Sequence, residues 1–241
     1  MPINCEKETF KFRNIAMAVR QVLAAVAKEP LYKTMQTSLL MVFVRNPQLG
    51  TVKTRLAVTV GDKMALEIYM ELMRHTAEMT HKVSADKKVF YSEKIEQHDI
   101  WTEMNFSKAL QTKGNLGQRM ENAFRTAFEE GYKKVLIVGS DLYSLKASHI
   151  EKALQQLNKK EVVIGPAQDG GYYLLGLKRN LPALFCNKNW GTSTVLKETL
   201  KDLKTKSIAL MEPLNDIDDF EDLKKEIKLL TKLNIDVKTY Q

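Results

Sequence analysis

Residues 38–56 read Ser38-Leu-Leu-Met-Val-Phe-Val-Arg-Asn-Pro-Gln-Leu-Gly-Thr-Val-Lys-Thr-Arg-Leu56. The apolar run Ser38–Arg45 reads as a buried strand. Pro47 and Gly50 then shape a loop at its end, which draws Lys53, Thr54 and Arg55 together. Two cations, a hydroxyl and backbone N–H groups freed at the Gly50 turn suit a phosphate. The stretch is not a P-loop, because Val52 precedes Lys53 where that motif requires Gly. The competing reading is a basic loop that merely leads into a helix.

Outward from this stretch, strands and helices alternate. A helix over Asp62–Val83 puts Met64, Ile68, Leu72, Met79 and Val83 on its core face. A short strand Lys88–Ser92, an irregular segment around Trp101 and a short strand Lys108–Gln111 follow. Leu116–Glu130 reads as a helix with Met120, Phe124, Ala127 and Phe128 on one side. Lys134–Gly139 has the composition of a central strand. Then come a helix over Ser148–Leu157 and a strand over Glu161–Gly165. A strand Tyr172–Leu177 is entered through a Gly-Gly turn. Helix Thr194–Lys204, strand Ser207–Met211 and one last helix, Phe220–Lys232, complete the chain. This order predicts an α/β fold: a Rossmann-like, mostly parallel mixed sheet with helices on both faces. The Asp-Gly-Gly turn inserts one antiparallel pair.

No internal repeat or low-complexity linker appears, so residues 38–241 are expected to form one domain. Residues 1–37 form an N-terminal extension. Within it, Asn14–Glu29 reads as an amphipathic helix with Ile15, Val19, Val22, Leu23 and Val26 on one side. Arg20 and Gln21 interrupt its apolar stretch, so it makes a poor signal peptide. It is expected to pack on the domain or on a partner chain, as in a homodimer.

The 241 residues are enough for one sizeable core, and 44% hydrophobic with 27% charged residues is ordinary for a globular protein. No apolar run has the length of a membrane span. The net charge of +8 admits an anionic partner. The lysines are scattered in pairs such as Lys87-Lys88 and Lys133-Lys134, which describes a solvated surface better than a nucleic-acid stripe. Cys5 and Cys186 lack metal-ligand spacing and fit a reducing, cytoplasmic setting. The four histidines form no ligand pair at helical spacing.

Open α/β sheets bind ligands beyond the carboxyl ends of their strands. After Lys134–Gly139 comes Ser140-Asp141, and Asp141 there either reaches a divalent cation or caps the next helix. After Glu161–Gly165 comes Asp169-Gly170-Gly171-Tyr172. Asp169 can orient a substrate hydroxyl or assist a metal, and Asp-Gly is also a plain hairpin signal. After Ser207–Met211, Asp216 and Asp218 are expected to point to a site, while Asp219, Glu221 and Asp222 serve the last helix. Gly114-Asn115-Leu-Gly117-Gln-Arg119 precedes a helix and can hold a base edge or a phosphate. Trp190 either stacks on a ligand or packs in the core. Together these features suit a metal–nucleotide transfer site.

The motifs N-P-x-x-G-x-V-K-T-R-L (46–56), G-N-L-G-Q-R-M (114–120), G-S-D (139–141), G-P-A-x-D-G-G-Y-Y-L-L-G-L (165–177), W-x-x-S-x-V-L (190–196) and D-I-D-x-x-E-D-L (216–223) occur in order. Over residues 38–232 the chain resembles a bacterial family named as glycosyltransferases by inference from the nucleotide-diphospho-sugar transferase (GT-A type) fold. That fold is shared with molybdenum-cofactor and 2-phospho-L-lactate guanylyltransferases. The resemblance implies Mg2+ or Mn2+ held by Asp141 and Asp218, with Asp216. It also implies Lys53 and Arg55 at the phosphates, and Gly50, Thr54, Gly114, Asn115, Gly117 and Arg119 around the nucleotide. Asp169 would position or deprotonate an acceptor lined by Gly170, Gly171, Tyr172 and Trp190. The partners implied are a nucleotide or nucleotide-sugar and a small-molecule acceptor. Two departures stand out: Leu142-Tyr143 replaces the usual Cys-Pro, and Asn115 replaces Asp in G-D-L-G. The leading expectation is glycosyl transfer from a sugar nucleotide. The alternatives are nucleotidyl transfer with release of pyrophosphate, and nucleotide binding without catalysis.

Overall fold

The computed structural model describes residues 37–240. Strand β1 (Ser38–Val44) leads to helices α1 (Thr54–Val60) and α2 (Asp62–His81). There follow β2 (Asp86–Tyr91), α3 (Ile100–Glu103), β3 (Ser107–Leu110) and α4 (Leu116–Glu129). Next come β4 (Lys134–Val138), α5 (Ala147–Lys159), β5 (Val162–Pro166) and β6 (Tyr172–Leu177). The last elements are α6 (Val195–Asp202), β7 (Ile208–Leu210), α7 (Phe220–Lys224) and α8 (Ile227–Lys232). The seven strands form one sheet in the order β3-β2-β1-β4-β6-β5-β7. Strand β6 runs antiparallel to β4 and β5, and every other pair is parallel.

Successive side chains of a strand point to opposite faces, and both faces of β1 are covered. Leu40, Val42 and Val44 pack with Tyr69, Met73 and Ala77 of α2 and Ile150, Ala153 and Leu157 of α5. Leu39 and Met41 pack with Met120, Phe124 and Ala127 of α4 and with Leu203 after α6. Burying each such aliphatic side chain contributes roughly 1.5–3 kcal/mol. A third cluster joins Leu56 and Val60 of α1 to Ile68 and Leu72 of α2 and to Ile217, Leu223 and Leu229. This cluster anchors the C-terminal segment against α1. Val42 pairs with Val138 while Val44 pairs with Tyr91, so the carboxyl ends of β1, β2 and β4 lie close together along the sheet.

The expected antiparallel insertion is present, and most element boundaries agree within two residues. Three local expectations are corrected. Thr54 and Arg55 do not lie in a loop; they form the first turn of α1. The segment around Trp101 contains α3, capped by Asp99, whose side chain accepts from the Thr102 N–H at 3.1 Å. The last helix is two helices. Asn215 Nδ2 donates to the Asp222 carbonyl at 3.2 Å and to Glu226 Oε1 at 3.3 Å, and Glu226 leaves helical backbone geometry at φ −100°, ψ 65°. Among the described residues, no helix is long and apolar enough to cross a membrane. The amphipathic helix expected over 14–29, and a homodimer contact through it, lie outside the described residues.

Candidate active site

Lys53 is the N-cap of α1, and its backbone is left-handed, with φ 50° and ψ 42°. A residue with a Cβ adopts this conformation at a cost of about 1–2 kcal/mol. Its carbonyl accepts the Ala57 N–H at 2.8 Å, which opens the helix. The Lys53 side chain is only 6% exposed, and Nζ lies 2.9 Å from Asp141 Oδ1 and 3.9 Å from Asp218 Oδ1. Arg55 Nη1 donates to the other oxygen of Asp218 at 2.8 Å, while most of its side chain faces solvent. Both aspartates are about half exposed, so water screens these pairs and their contribution to stability is small. What the pairs define is a position. Carboxylates from two different strand-end loops converge on one cation. The Ile217 N–H donates to the Asp141 carbonyl at 3.0 Å and ties the two loops together.

Asp216 lies two residues before Asp218 in the same loop. Burial pushes its carboxyl up to about 6, and the Asp169 carboxylate adds to the shift, followed by those of Asp141 and Asp222. Asp141, Asp169 and Asp216 therefore share one electronegative region. They do not make a finished metal cage. Among the described residues, no three His, Cys, Asp or Glu side chains are gathered closely enough to hold an ion. The expected three-ligand set of Asp141, Asp216 and Asp218 is thus not assembled by the chain alone, because Lys53 stands between Asp141 and Asp218. Two converging carboxylates still fit Mg2+ or Mn2+, since Mg2+ commonly takes one or two protein carboxylates and fills its remaining positions with substrate phosphates and water.

Several residues behind these groups carry no obvious signal in the sequence. Tyr69 of α2 accepts the Arg45 N–H at 2.8 Å and donates to the Arg45 carbonyl at 3.1 Å. Its hydroxyl lies 3.4 Å from Ser140 Oγ, so one phenol braces the ends of β1 and β4. Asn46 is 3% exposed, and its side chain fastens the loop after β2. Its Oδ1 accepts from the Glu93 N–H at 3.0 Å, and its Nδ2 donates to the Lys94 carbonyl at 2.8 Å. Gln111 Nε2 donates to the carbonyls of Val44 and Phe90, both at 3.0 Å. Its Oε1 accepts from Arg119 Nη1 at 3.4 Å.

The Gly114–Arg119 segment opens α4 with a capping box, in which Asn115 accepts from the Gln118 N–H and Gln118 accepts from the Asn115 N–H. Asn115 thus satisfies the helix end. Arg119 Nε donates to the Gly114 carbonyl at 2.8 Å and curls the loop. Gly50 makes its turn at φ 75°. A Cβ on Gly117 would stand 2.3 Å from Trp190 Nε1 and 2.7 Å from the Phe185 carbonyl. The indole therefore packs on the start of α4. Trp190 meets the Tyr172 ring edge-on at 6.3 Å, and both belong to an apolar cluster. The Tyr172 hydroxyl is buried near Thr199, so packing is the role seen for this pair expected beside an acceptor. Asp169 accepts the Gly171 N–H at 2.7 Å across its turn and stays exposed. The Gly170 carbonyl receives the Leu196 N–H at 3.0 Å, which ties this turn to α6.

A family described as an uncharacterised protein conserved in bacteria (DUF2064) matches residues 75–192. A 2-phospho-L-lactate guanylyltransferase from Methanocaldococcus vulcanius is 33% identical over 79 residues, which are 31% of this chain. That match spans about a third of the relative's length (36%). A solved structure from Desulfovibrio desulfuricans G20, proposed as a nucleotide-diphospho-sugar transferase, superimposes with a TM-score of 0.73 at 26% identity. It covers 82% of this chain and 98% of the other. The chain has the nucleotide-diphospho-sugar transferase fold. A nucleotidyl transferase from Methanothermobacter shares that fold at 11% identity, with a TM-score of 0.57, over 81% of this chain and 98% of its own. In this transferase fold, Lys53, Asp141 and Asp218 stand at carboxyl ends of strands, where such sheets take their ligands.

Proposed function

We propose that this chain is a nucleotide-dependent transferase, and that its reaction is nucleotidyl transfer from an NTP to a small phosphorylated acceptor. The observation that supports this most is the largely buried Lys53 ammonium, aligned with two strand-end carboxylates and followed on α1 by Arg55. The residue two positions beyond Asp141 is Tyr143, whose ring packs on His75 at 4.6 Å, so that position supplies no second carboxylate of the kind found in many sugar transferases. The guanylyltransferase similarity supports the same chemistry.

In this reading an acceptor phosphate oxygen attacks the α-phosphorus. A new P–O bond forms as the bond to the bridging oxygen breaks, and its electron pair leaves with pyrophosphate. Lys53 and Arg55 neutralise the leaving group. The Gly114–Arg119 segment holds the nucleoside, and Asp169 orients the acceptor. A Mg2+ or Mn2+ ion held by Asp141 with Asp216 or Asp218 would supply further charge neutralisation at the phosphates.

A second reading, glycosyl transfer from an NDP-sugar, is favoured by the similarity to the Desulfovibrio protein. There the same cations face a nucleoside diphosphate leaving group, and Asp169 takes the proton of an acceptor hydroxyl. Incubation with Mg2+ and either NTPs plus phosphorylated acceptors or NDP-sugars separates the two. Pyrophosphate release supports the first and nucleoside diphosphate release the second. Lys53→Ala is expected to slow whichever reaction occurs by about 100-fold or more. A wild-type protein that releases neither product with any donor would overturn the transferase reading.

A further inference from the structure

We propose that Lys53 is a placeholder cation: in the nucleotide-free protein its ammonium holds the carboxylates of Asp141 and Asp218, and it keeps free divalent metal out until a nucleotide phosphate draws it away. This rests on the metal–nucleotide reading of the site and adds an order of binding to it. Three observations carry it. The ammonium is 2.9 Å from Asp141 Oδ1 and 3.9 Å from Asp218 Oδ1, on the side where those carboxylates converge. Its side chain is 6% exposed, whereas the two aspartates are 45% and 48% exposed, so the lysine is enclosed and its partners are open to solvent. Its backbone is held left-handed at the start of α1, with the carbonyl engaged by Ala57, which fixes the direction in which the side chain leaves the chain.

Charge balance gives the consequence. Lys53 and Arg55 cancel the charges of Asp141 and Asp218, so the two carboxylates on which an ion would sit are already neutralised, and only Asp216 and Asp169 beside them remain uncompensated. Mg2+ binds oxygen at about 2.0–2.1 Å. An ion on Asp141 Oδ1 would then lie within a few ångströms of an ammonium hydrogen-bonded to the same oxygen. Two cations that close repel, most strongly on the enclosed side where the Lys53 side chain is 6% exposed. A nucleotide carries several negative charges. Its phosphate offers Lys53 a second anionic partner and brings the ion its remaining ligands. Metal is therefore taken up with the nucleotide and not before it.

The test is Mn2+ binding without nucleotide, followed by the electron paramagnetic resonance of free Mn2+, for the whole chain and its variants. Lys53→Met removes the ammonium and keeps a side chain at the left-handed position. Lys53→Gly removes the ammonium and relieves that backbone. The two variants differ in backbone strain and in side-chain bulk and share the loss of the ammonium, so a shared effect on Mn2+ belongs to the charge. Both are expected to bind Mn2+ at least 10-fold more tightly than wild type, and Asp141→Asn added to either is expected to abolish the gain. Unchanged affinity in both variants, or a gain that survives Asp141→Asn, overturns the proposal. This readout is independent of turnover. A tighter Mn2+ site in a protein that transfers nothing would leave the placeholder standing and remove only the transferase reading.

Discussion

At the scale of the residue, the site depends on side chains that never touch a ligand. Asn46 shows this best. It follows β1 directly, is nearly fully buried, and uses both ends of its amide to hold residues 92–96. Removing that amide leaves the N–H groups of Glu93 and Lys94 and the Lys94 carbonyl without their partner on the side that faces the buried Asn46 position. An unsatisfied buried polar group costs about 1–3 kcal/mol. Asn46→Ala is therefore expected to lower stability by about 2–3 kcal/mol, read as a fall in urea midpoint at constant slope. Asn46→Asp, which keeps the acceptor oxygen, is expected to recover part of the loss. The sequence marks Asn46 only as a neighbour of Pro47. Its partners lie 46 to 50 residues away and meet it only because β1 and β2 pair in parallel.

At the scale of the element, α4 is positioned by a glycine. Gly117 sits in the first turn of that helix with the Trp190 indole against it. A methyl group there would meet Trp190 on one side and the rigid Phe185 carbonyl on the other. Gly117→Ala should gain helix propensity of about 1 kcal/mol and lose more through overpacking, typically 1–3 kcal/mol. The expected result is net destabilisation together with a shift in Trp fluorescence. A Gly117→Ala protein as stable as wild type, with unchanged emission, would show that the contact does not position α4. Helices and strands with a sustained pattern are legible in the amino-acid sequence: Asp62–His81, Leu116–Glu129, Lys134–Val138 and Tyr172–Leu177 lie close to where their periodicity puts them. The elements that depart from expectation share a cause, which is that their ends are set by features outside the periodic pattern. Helix α1 is seven residues long and begins at a left-handed lysine, and Pro47 and Gly50 give its approach the look of a loop. The break between α7 and α8 comes where Asn215 reaches Glu226 and the Asp222 carbonyl, a contact that no window of periodicity contains.

At the scale of the whole molecule, acid stability tests the segment that joins β2 to β3. Burial pushes the Asp99 carboxyl up, but hydrogen bonds from Lys108, Tyr91 and the Thr102 N–H outweigh it and hold the group below the usual carboxylate range. Lys108 Nζ lies 2.7 Å from Asp99 Oδ1, and the Tyr91 hydroxyl lies 2.5 Å from Oδ2. A carboxyl depressed in the folded state binds fewer protons there than in the unfolded chain. Its stabilisation is complete above its unfolded value near 3.8 and is lost as pH falls through the lower folded value. Lys108→Met removes the first of the hydrogen bonds and leaves burial less opposed. In the variant, the total fall of the urea midpoint with acid is expected to be smaller than in wild type, because the folded value lies closer to the unfolded one. Superimposable midpoint-against-pH curves would show that Lys108 does not hold Asp99 ionised.

Local pattern alone dictates the alternation of strands and helices, the antiparallel insertion, and the positions at which Lys53, Asp141, Asp169 and Asp218 leave their strands. Those properties can be read along the chain because side-chain direction repeats every two residues in a strand and every 3.6 in a helix. What those residues do to one another is settled by three-dimensional packing. Lys53 and Asp218 are 165 positions apart, and sheet order together with the Ile217–Asp141 hydrogen bond brings them to one place. There the expected metal ligands are found holding a lysine, since opposite charges delivered to the same strand-end cleft pair with each other until a ligand offers each a better partner.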